Sequence, residues 1–309
     1  MKKIIVTTTI YPPALATKLF AQKEGWDLVI VGDLKTPHDL YEEFDAMPNV
    51  TYLHPEKQEQ LYPDLSDAIG WNNIQRRNIG LLYAYHQGAD VVATVDDDNI
   101  PDENWGKNVY VNQTIEIDLY ESPNGVFDPL SVTKYNDFLW HRGYPVELLP
   151  SRNNVLYKGK AMRKVLVQAD LWDGDPDIDA MARIVNQPVV KFDIDTPFGA
   201  TNISPFNSQN TFLSREVLPV YSVLPHTGRM DDIWGGYILQ HYFPDSVVYT
   251  PPSVYQARNE QDLVTNLQNE VIGYRNTFKL LNDLSNYSAY LPEKALNYWN
   301  VYRKYFEGE

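Results

Sequence analysis

Three consecutive carboxylates, Asp96, Asp97 and Asp98, directly follow the apolar run Val91–Val95. In an open α/β sheet, ligands sit beyond the carboxyl ends of the strands. Adjacent carboxylates repel one another, and burying them without a cation is costly. A hard divalent cation with oxygen ligands relieves that cost, and it can bridge a diphosphate and stabilise its departure. The plainer alternative is an acidic surface turn that caps the following segment. A second acidic pair, Asp231-Asp232, opens a helical pattern and precedes Trp234 and two glycines. A carboxylate there can deprotonate a hydroxyl, or it can simply complement a helix N-terminus. Asp177 and Asp179 follow Pro176 and invite the same two readings: hydrogen bonding to substrate hydroxyls, or capping. Arg76 and Arg77 offer guanidinium forks for phosphate. Neighbouring helix positions point about 100° apart, so one arginine is expected to face inward and the other to meet solvent.

The elements that must hold these groups follow from apolar spacing. Lys3–Thr9, residues 27–31, Val50–Leu53 and Val91–Val95 read as strands, and residues 69–87 carry apolar side chains at helical spacing. Strand–helix–strand with short links predicts an α/β fold with a mostly parallel central sheet flanked by helices. Residues 99–151 read as irregular and 155–198 as mixed. Asp231–Tyr242 reads as a helix, 247–249 as a short strand ending at Pro251-Pro252, and the chain from Gln261 as helical with a break near 288–292. The simplest division is a catalytic domain over 1–258 and a helical C-terminal extension over 259–309 packed on it.

Composition narrows the function. The 309 residues carry a formal net charge of −15, which disfavours sequence-independent nucleic-acid binding by clustered basic residues. The absence of cysteine removes disulfides, thiolate metal sites and cysteine nucleophiles. The apolar run after Lys2-Lys3 is too short for a signal peptide, and no stretch approaches the roughly 20 apolar residues of a membrane span. A cytoplasmic protein is therefore expected. Neither a P-loop nor a nucleophile elbow occurs. The aromatic C-terminal residues Tyr287, Tyr290, Tyr298, Trp299, Tyr302 and Tyr305 suit a dimer contact, a membrane surface or packing back onto the domain.

The block RRNIGLLYAYHQGADVVATVDDDN resembles the nucleotide-sugar half of GT-A glycosyltransferases, in which an R-N-x-G helix leads through a strand into a D-x-D motif. Further elements sharpen the likeness: Arg142-Gly143-Tyr144-Pro145, Gly174-x-Pro176-Asp177-x-Asp179, Pro205-Phe206-Asn207-Ser208-x-Asn210 and Arg229-x-Asp231-Asp232-x-Trp234. Together they resemble the reversibly glycosylated polypeptides, which include UDP-arabinopyranose mutases. Tyr11-Pro12, Gly25-Trp26, Thr36-Pro37 and Tyr249-Thr250-Pro251-Pro252 are similar to the STELLO-type glycosyltransferase domain. The resemblance spans roughly residues 3–260.

The resemblance implies roles. Asp96 would touch ribose or sugar and share in metal binding, Asp98 would be the principal ligand of Mn²⁺ or Mg²⁺, and Asp97 stands between the two. Thr8, Thr9 and Tyr11 end the first strand where a base would lie, and Asp33 would meet base or ribose. Arg142 becomes a phosphate or sugar contact tied to activity. Asp232, with Asp231 second, becomes the base. Trp234 stacks on a sugar or fills the core, His226 adds a metal ligand, and Arg258 reaches the diphosphate. The leading expectation is transfer of a sugar from a nucleoside-diphosphate sugar, UDP-linked by preference, to an acceptor hydroxyl whose identity the sequence leaves open. The alternatives are pyranose–furanose interconversion of a UDP-sugar and a non-catalytic nucleotide-sugar-binding protein.

Overall fold

Near-continuous apolar runs bury strands on both faces of a sheet, and they account for the first half of this computed structural model, which describes residues 1–258 and 261–307. In chain order the elements are β1 (Lys3–Thr9), α1 (Leu15–Phe20), β2 (Asp27–Gly32), α2 (Glu42–Asp45), β3 (Val50–Leu53), α3 (Pro55–Leu61), α4 (Pro63–Ile69), α5 (Arg77–His86) and β4 (Val91–Val95). Then come β5 (Asn99–Pro101), β6 (Thr114–Glu121), β7 (Leu156–Lys164), β8 (Val167–Gly174), α6 (Ala180–Asn186), β9 (Phe198–Ala200) and β10 (Asn210–Ser214). The chain continues through α7 (Asp231–Tyr242), β11 (Val247–Gln256), α8 (Leu263–Asn282) and α9 (Glu293–Lys304).

The strands form one sheet in the order β3-β2-β1-β4-β10-β8-β11-β9-β6-β7, with β5 paired to β11. The four strands from β3 to β4 run parallel. Beyond β4 the sheet is mixed, because β10 is antiparallel to both β4 and β8 while β8 and β11 are parallel. One edge of the sheet therefore collects the carboxyl ends of β1, β2, β4, β8 and β11 and the amino end of β10. The fold is α/β with helices on the central sheet, as the spacing predicts.

Local details differ from the sequence expectation. The helical pattern over 69–87 breaks: Gly70 leaves α4 at φ 75°, a 3-10 turn covers Ile74–Arg76, and α5 starts at Arg77. The last strand does not end at Pro251-Pro252. It continues to Gln256 across a register shift between Thr250 and Val254, which is where a strand can tolerate residues without an N–H. The stretch read as irregular contains β6, paired along its length with β7.

The C-terminal aromatics pack back onto the molecule. Tyr298, Trp299 and Tyr302 are buried, the Tyr302 hydroxyl donates to the Leu218 carbonyl at 3.2 Å, and Tyr305 meets Tyr62 edge-on. Among the described residues, no helix is long and apolar enough to cross a membrane.

Candidate functional site

Most of the polar groups singled out around the acidic triplet lie at the sheet edge where β1, β2, β4, β8 and β11 end. Of the cavities that open there, two take in most of these groups. The larger, of about 470 Å³, is lined by Asp96 and Asp98 on one side and by Arg77, Arg142, Asp231 and Asp232 on another. The smaller, of about 220 Å³, is formed by the ends of β1 and β2 and is lined by Thr8, Thr9, Tyr11, Asp33, Arg76 and Asp97. Asn73 and Ile74 border both.

Helix α5 sets the first cation. Gly80 presses so close to the sheet that a Cβ there would stand 2.4 Å from Val6 and 2.9 Å from Val31. That approach drops Arg77, one turn earlier, over the end of β4. Its guanidinium donates to the Ser208 carbonyl at 2.8 Å and hydroxyl at 2.7 Å, and pairs tightly with Asp96. Arg76 points the other way and is not the solvent charge expected. It is fully buried, donates to Gln58, to the Ser66 hydroxyl at 3.0 Å and to the Gly70 carbonyl at 3.3 Å, and lies 3.7 Å above the Trp71 ring. Burial holds its pKa down to about 10. Its role is to lock the 3-10 turn that bears Asn73 and Ile74. Replacing Arg76 by methionine orphans the Gln58 side-chain oxygen, and urea denaturation should show a loss of roughly 1–3 kcal/mol, with the Arg77–Asp96 pair unaffected.

Arg142 is the hub of the far side. Gly143, at φ 79°, lets its loop lie against α7, where a Cβ would come within 2.3 Å of Ile233. Arg142 donates to Asp177 Oδ2 from Nε at 3.1 Å and from Nη2 at 2.7 Å, and to Asp232 Oδ2 at 3.2 Å. Its Nη1 stands 3.0 Å from Asp232 Oδ1 and 3.7 Å from Asp231 Oδ1. Ser208 ties this hub to the triplet, because its N–H and hydroxyl donate to Asp232 at 2.8 and 3.1 Å while its oxygens receive Arg77. Arginines, carboxylates and one serine thus run unbroken from Asp96 to Asp177.

The two α7 carboxylates end up chemically different. Burial raises the Asp232 carboxyl, but Arg142 and the Ser208 N–H outweigh it and hold it below the usual range. Asp231 receives the Gln75 amide at 2.7 Å and has Arg142 farther off, at 3.7 Å. Burial and the neighbouring Asp232 charge push it up to about 7. Asp177 is also buried, yet Arg142, Arg229 and Arg258 together hold it far below the ordinary range.

The donor set at the triplet fits a divalent cation of limited protein ligation. Asp96 and Asp98 face the same cavity. Asp97 turns to the smaller one and accepts from the Thr9 hydroxyl at 2.6 Å; burial raises its pKa. Among the described residues no group of three acidic, histidine or cysteine side chains converges on a metal position. One or two carboxylates completed by substrate phosphates and water is the usual arrangement for Mg²⁺.

Three expected contacts lie elsewhere. His226, proposed as a metal ligand, is exposed on a turn at φ 66°, with Nε2 3.3 Å from the Ala68 carbonyl. Trp234 is fully buried and donates to the Thr277 hydroxyl at 3.0 Å, so it is a core tryptophan and no sugar platform. Asp179 caps α6, accepting from the Met181 and Ala182 N–H groups at 2.8 and 3.4 Å. Asp33 is held by the N–H groups of Leu34, Asn72 and Asn73 at 2.7, 2.8 and 3.0 Å, yet it still borders the smaller cavity.

Four contributors carry no role in the sequence expectation: Gln75, Ser208, Arg229 and Glu270. Ser208 and Arg229 sit inside quoted motifs, so a signal existed. Glu270 is a lone acid on a polar helix. It is fully buried only because α8 crosses the Gly228–Met230 turn, where Oε1 accepts from Arg229 Nε at 2.9 Å.

No family model matches the sequence. The chain is similar to two curated proteins of Arabidopsis thaliana. It is 24% identical to the probable glycosyltransferase STELLO1 over 301 residues, covering 86% of this chain and 38% of that protein. It is 25% identical to the probable glycosyltransferase STELLO2 over 282 residues, covering 82% and 35%. The chain spans little more than a third of the length of these relatives. Among solved structures it is similar to glucosyl-3-phosphoglycerate synthase from Mycobacterium tuberculosis in complex with Mn²⁺, UDP-glucose and phosphoglyceric acid. That match has a TM-score of 0.44 at 12% identity and covers 89% of this chain and 79% of that one. The curated likeness is thus to two probable glycosyltransferases, at about a quarter sequence identity.

Proposed function

We propose that the protein is a glycosyltransferase that moves a sugar from a nucleoside-diphosphate sugar, UDP-linked by preference, to an acceptor hydroxyl. One observation supports this reading: Asp96 and Asp98 of the acidic triplet line the same cavity as the buried carboxylate Asp231, and a second cavity built from the ends of β1 and β2 adjoins it. The smaller cavity suits the base and ribose, with Asp33, Thr8 and Thr9 as polar contacts. The larger takes the diphosphate and sugar. The catalytic unit is residues 1–258, with the helical C-terminal extension, described over 261–307, packed on it and supplying Glu270.

The chemistry proposed is a single displacement. Asp231, as carboxylate, accepts the acceptor hydroxyl proton. The acceptor oxygen bonds to the anomeric carbon as the bond from that carbon to the diphosphate breaks, and the nucleoside diphosphate leaves with the bonding electrons. Arg142 holds Asp231 and Asp232 in place, and Arg77 holds Asp96. Asp98, with Asp96, would hold Mn²⁺ or Mg²⁺, which when bound supplies positive charge against the leaving diphosphate.

Because the protein offers few metal ligands, nucleotide and metal should bind together. A thermal-shift panel is expected to show a small effect of UDP or Mn²⁺ alone and a large joint effect. Site-specific binding is worth about 2.7 kcal/mol at a hundredfold excess over Kd. Asp98→Ala should abolish the joint effect. If no nucleoside diphosphate shifts the melting temperature with either metal, the donor site is misassigned. Product analysis then separates the alternatives: a transferase releases free UDP and modifies an acceptor, a mutase changes only the sugar's ring form, and a binding protein leaves the UDP-sugar intact.

A further inference from the structure

Among the described residues, Arg258 is a buried cation held by long contacts. Its side chain is 7% exposed, yet Nε has no hydrogen bond. Among the described residues, it hydrogen-bonds from Nη2 to the neutral Gln256 side-chain oxygen at 3.1 Å. Among the described residues, its ion pairs are long, at 3.5 Å to Asp175 and 3.7 Å to Asp177, and both carboxylates are bound more closely by other arginines. Asp175 is bound tightly by Arg183, and Asp177 by Arg142 and Arg229. Burial accordingly lowers the Arg258 pKa. A buried guanidinium whose counter-charges are shared with closer arginines is favoured further by a ligand anion.

Arg229 stands beside it on the same wall of the large cavity. Its Nη2 donates to Asp177 Oδ1 at 3.2 Å, the same oxygen that lies 3.7 Å from Arg258 Nη2. The fully buried Glu270 takes its Nε, which aims the rest of the fork along the wall; the side chain keeps 24% of its surface exposed. Glu270 is itself fixed by the Ala180 N–H and the Tyr274 hydroxyl, both at 2.9 Å. The pair is thus braced from α8, across Asp177 from Arg142 and the base Asp231.

We infer that Arg229 and Arg258 form an anion subsite, distinct from the diphosphate position, that takes a carboxylate or phosphate group of the acceptor. The class of acceptor is then an anionic hydroxy compound, with its charged end on the arginine pair and a hydroxyl presented to Asp231. This inference rests on the proposed transferase reading for the word acceptor, but the subsite itself can be tested without it.

Arg258 also lies next to the triplet in the backbone, where the Ala257 N–H donates to the Asp98 carbonyl at 3.2 Å. The donor diphosphate is therefore the competing source of the anion, and the experiment must separate the two. Inorganic phosphate is titrated at fixed ionic strength into the full chain, with and without saturating UDP and Mg²⁺, and melting temperature is followed. The expected result is a saturable phosphate shift that persists and adds when UDP and Mg²⁺ are present. Arg258→Gln and Arg229→Gln should each weaken apparent phosphate affinity at least tenfold while retaining the UDP–Mg²⁺ shift, and Arg258→Lys should recover part of it. If UDP and Mg²⁺ erase the phosphate shift, or if Arg258→Gln loses the UDP shift instead, the pair belongs to the donor diphosphate and the inference fails. A wild-type protein that responds to UDP but not to phosphate also overturns it and leaves the transferase reading standing. A phosphate shift lost in Arg258→Gln, with no UDP shift in wild type, supports the subsite and removes the transferase reading instead.

Discussion

Asp231→Asn is expected to lower kcat by about 10²–10⁴-fold, the range for loss of a positioned general base, with little change in nucleotide binding. The side chain faces the large cavity and accepts from the neutral Gln75 amide, a bond that an asparagine oxygen accepts equally well. In the wild type, burial and the Asp232 charge place its pKa at about 7. The rate should therefore rise with pH through a limb near 7 and level off above it, and Asp231→Asn should lack that limb. The stability consequence has the opposite sign. A carboxyl raised above its unfolded value of about 3.9 makes the native state bind the extra proton, so stability is lost as pH rises toward 7. Asparagine carries no such cost, and the variant should melt at or above the wild-type temperature at pH 8. A variant that is inactive yet no less stable identifies a chemical role. If Asp231→Asn keeps the pH limb while Asp232→Asn loses it, the roles of the two residues are exchanged. A full wild-type rate in Asp231→Asn with any acceptor sinks the base assignment.

The sequence made the chemistry more legible than its exact owners. The strands β1, β3 and β4 and the helix α7 have the bounds their apolar runs predict, because burial at a sheet centre leaves little freedom in where such runs begin and end. The triplet was visible for the same reason: it ends the most apolar of those runs. Which of two neighbouring residues faces the cavity was less legible. Arg76 and Arg77 differ by one step on the chain, and a 3-10 turn rather than a continuous helix sets their directions. That turn answers to Gly70 and to the Gln58 and Ser66 partners of Arg76, which lie on α3 and α4. Likewise, the sequence puts Asp232 ahead of Asp231 as the base, and it gives no hint that Ser208, which arrives from the loop before β10, holds Asp232. Trp234 and Asp179 follow a motif yet serve the core and a helix cap, since a motif fixes residue type and spacing but not which neighbour is already within reach. Glu270 had no local signal at all, because its burial depends on a contact between segments 41 residues apart.

Arg142→Met carries the largest expected loss of stability. The guanidinium is the shared counter-charge of Asp177 and Asp232 and the nearest cation to Asp231, and all three carboxyls are buried. Removing one partner of a buried ion pair commonly costs about 3–5 kcal/mol, because the other charge is left uncompensated. The loss should depend on pH. Asp177 and Asp232 are held below their ordinary values in the wild type. They therefore contribute stability that is present above the unfolded carboxyl pKa of about 3.9 and is lost as pH falls through the lower, folded values. Without Arg142 that contribution disappears, so the gap between variant and wild type should be widest at neutral pH and should narrow as acid neutralises the carboxyls. Denaturant titrations at pH 7.5 and pH 4.5 measure it directly. A gap that is equal at both pH values would mean that Arg142 stabilises the loop before Gly143 by packing alone. Arg142→Lys separates charge from geometry. One ammonium restores a positive charge but cannot present the fork that reaches Asp177 from two nitrogens and Asp232 from a third side. It should recover part of the stability at neutral pH and little of the transferase rate, because Asp231 keeps its orientation only while Asp232 and Asp177 are held on either side of the same planar group.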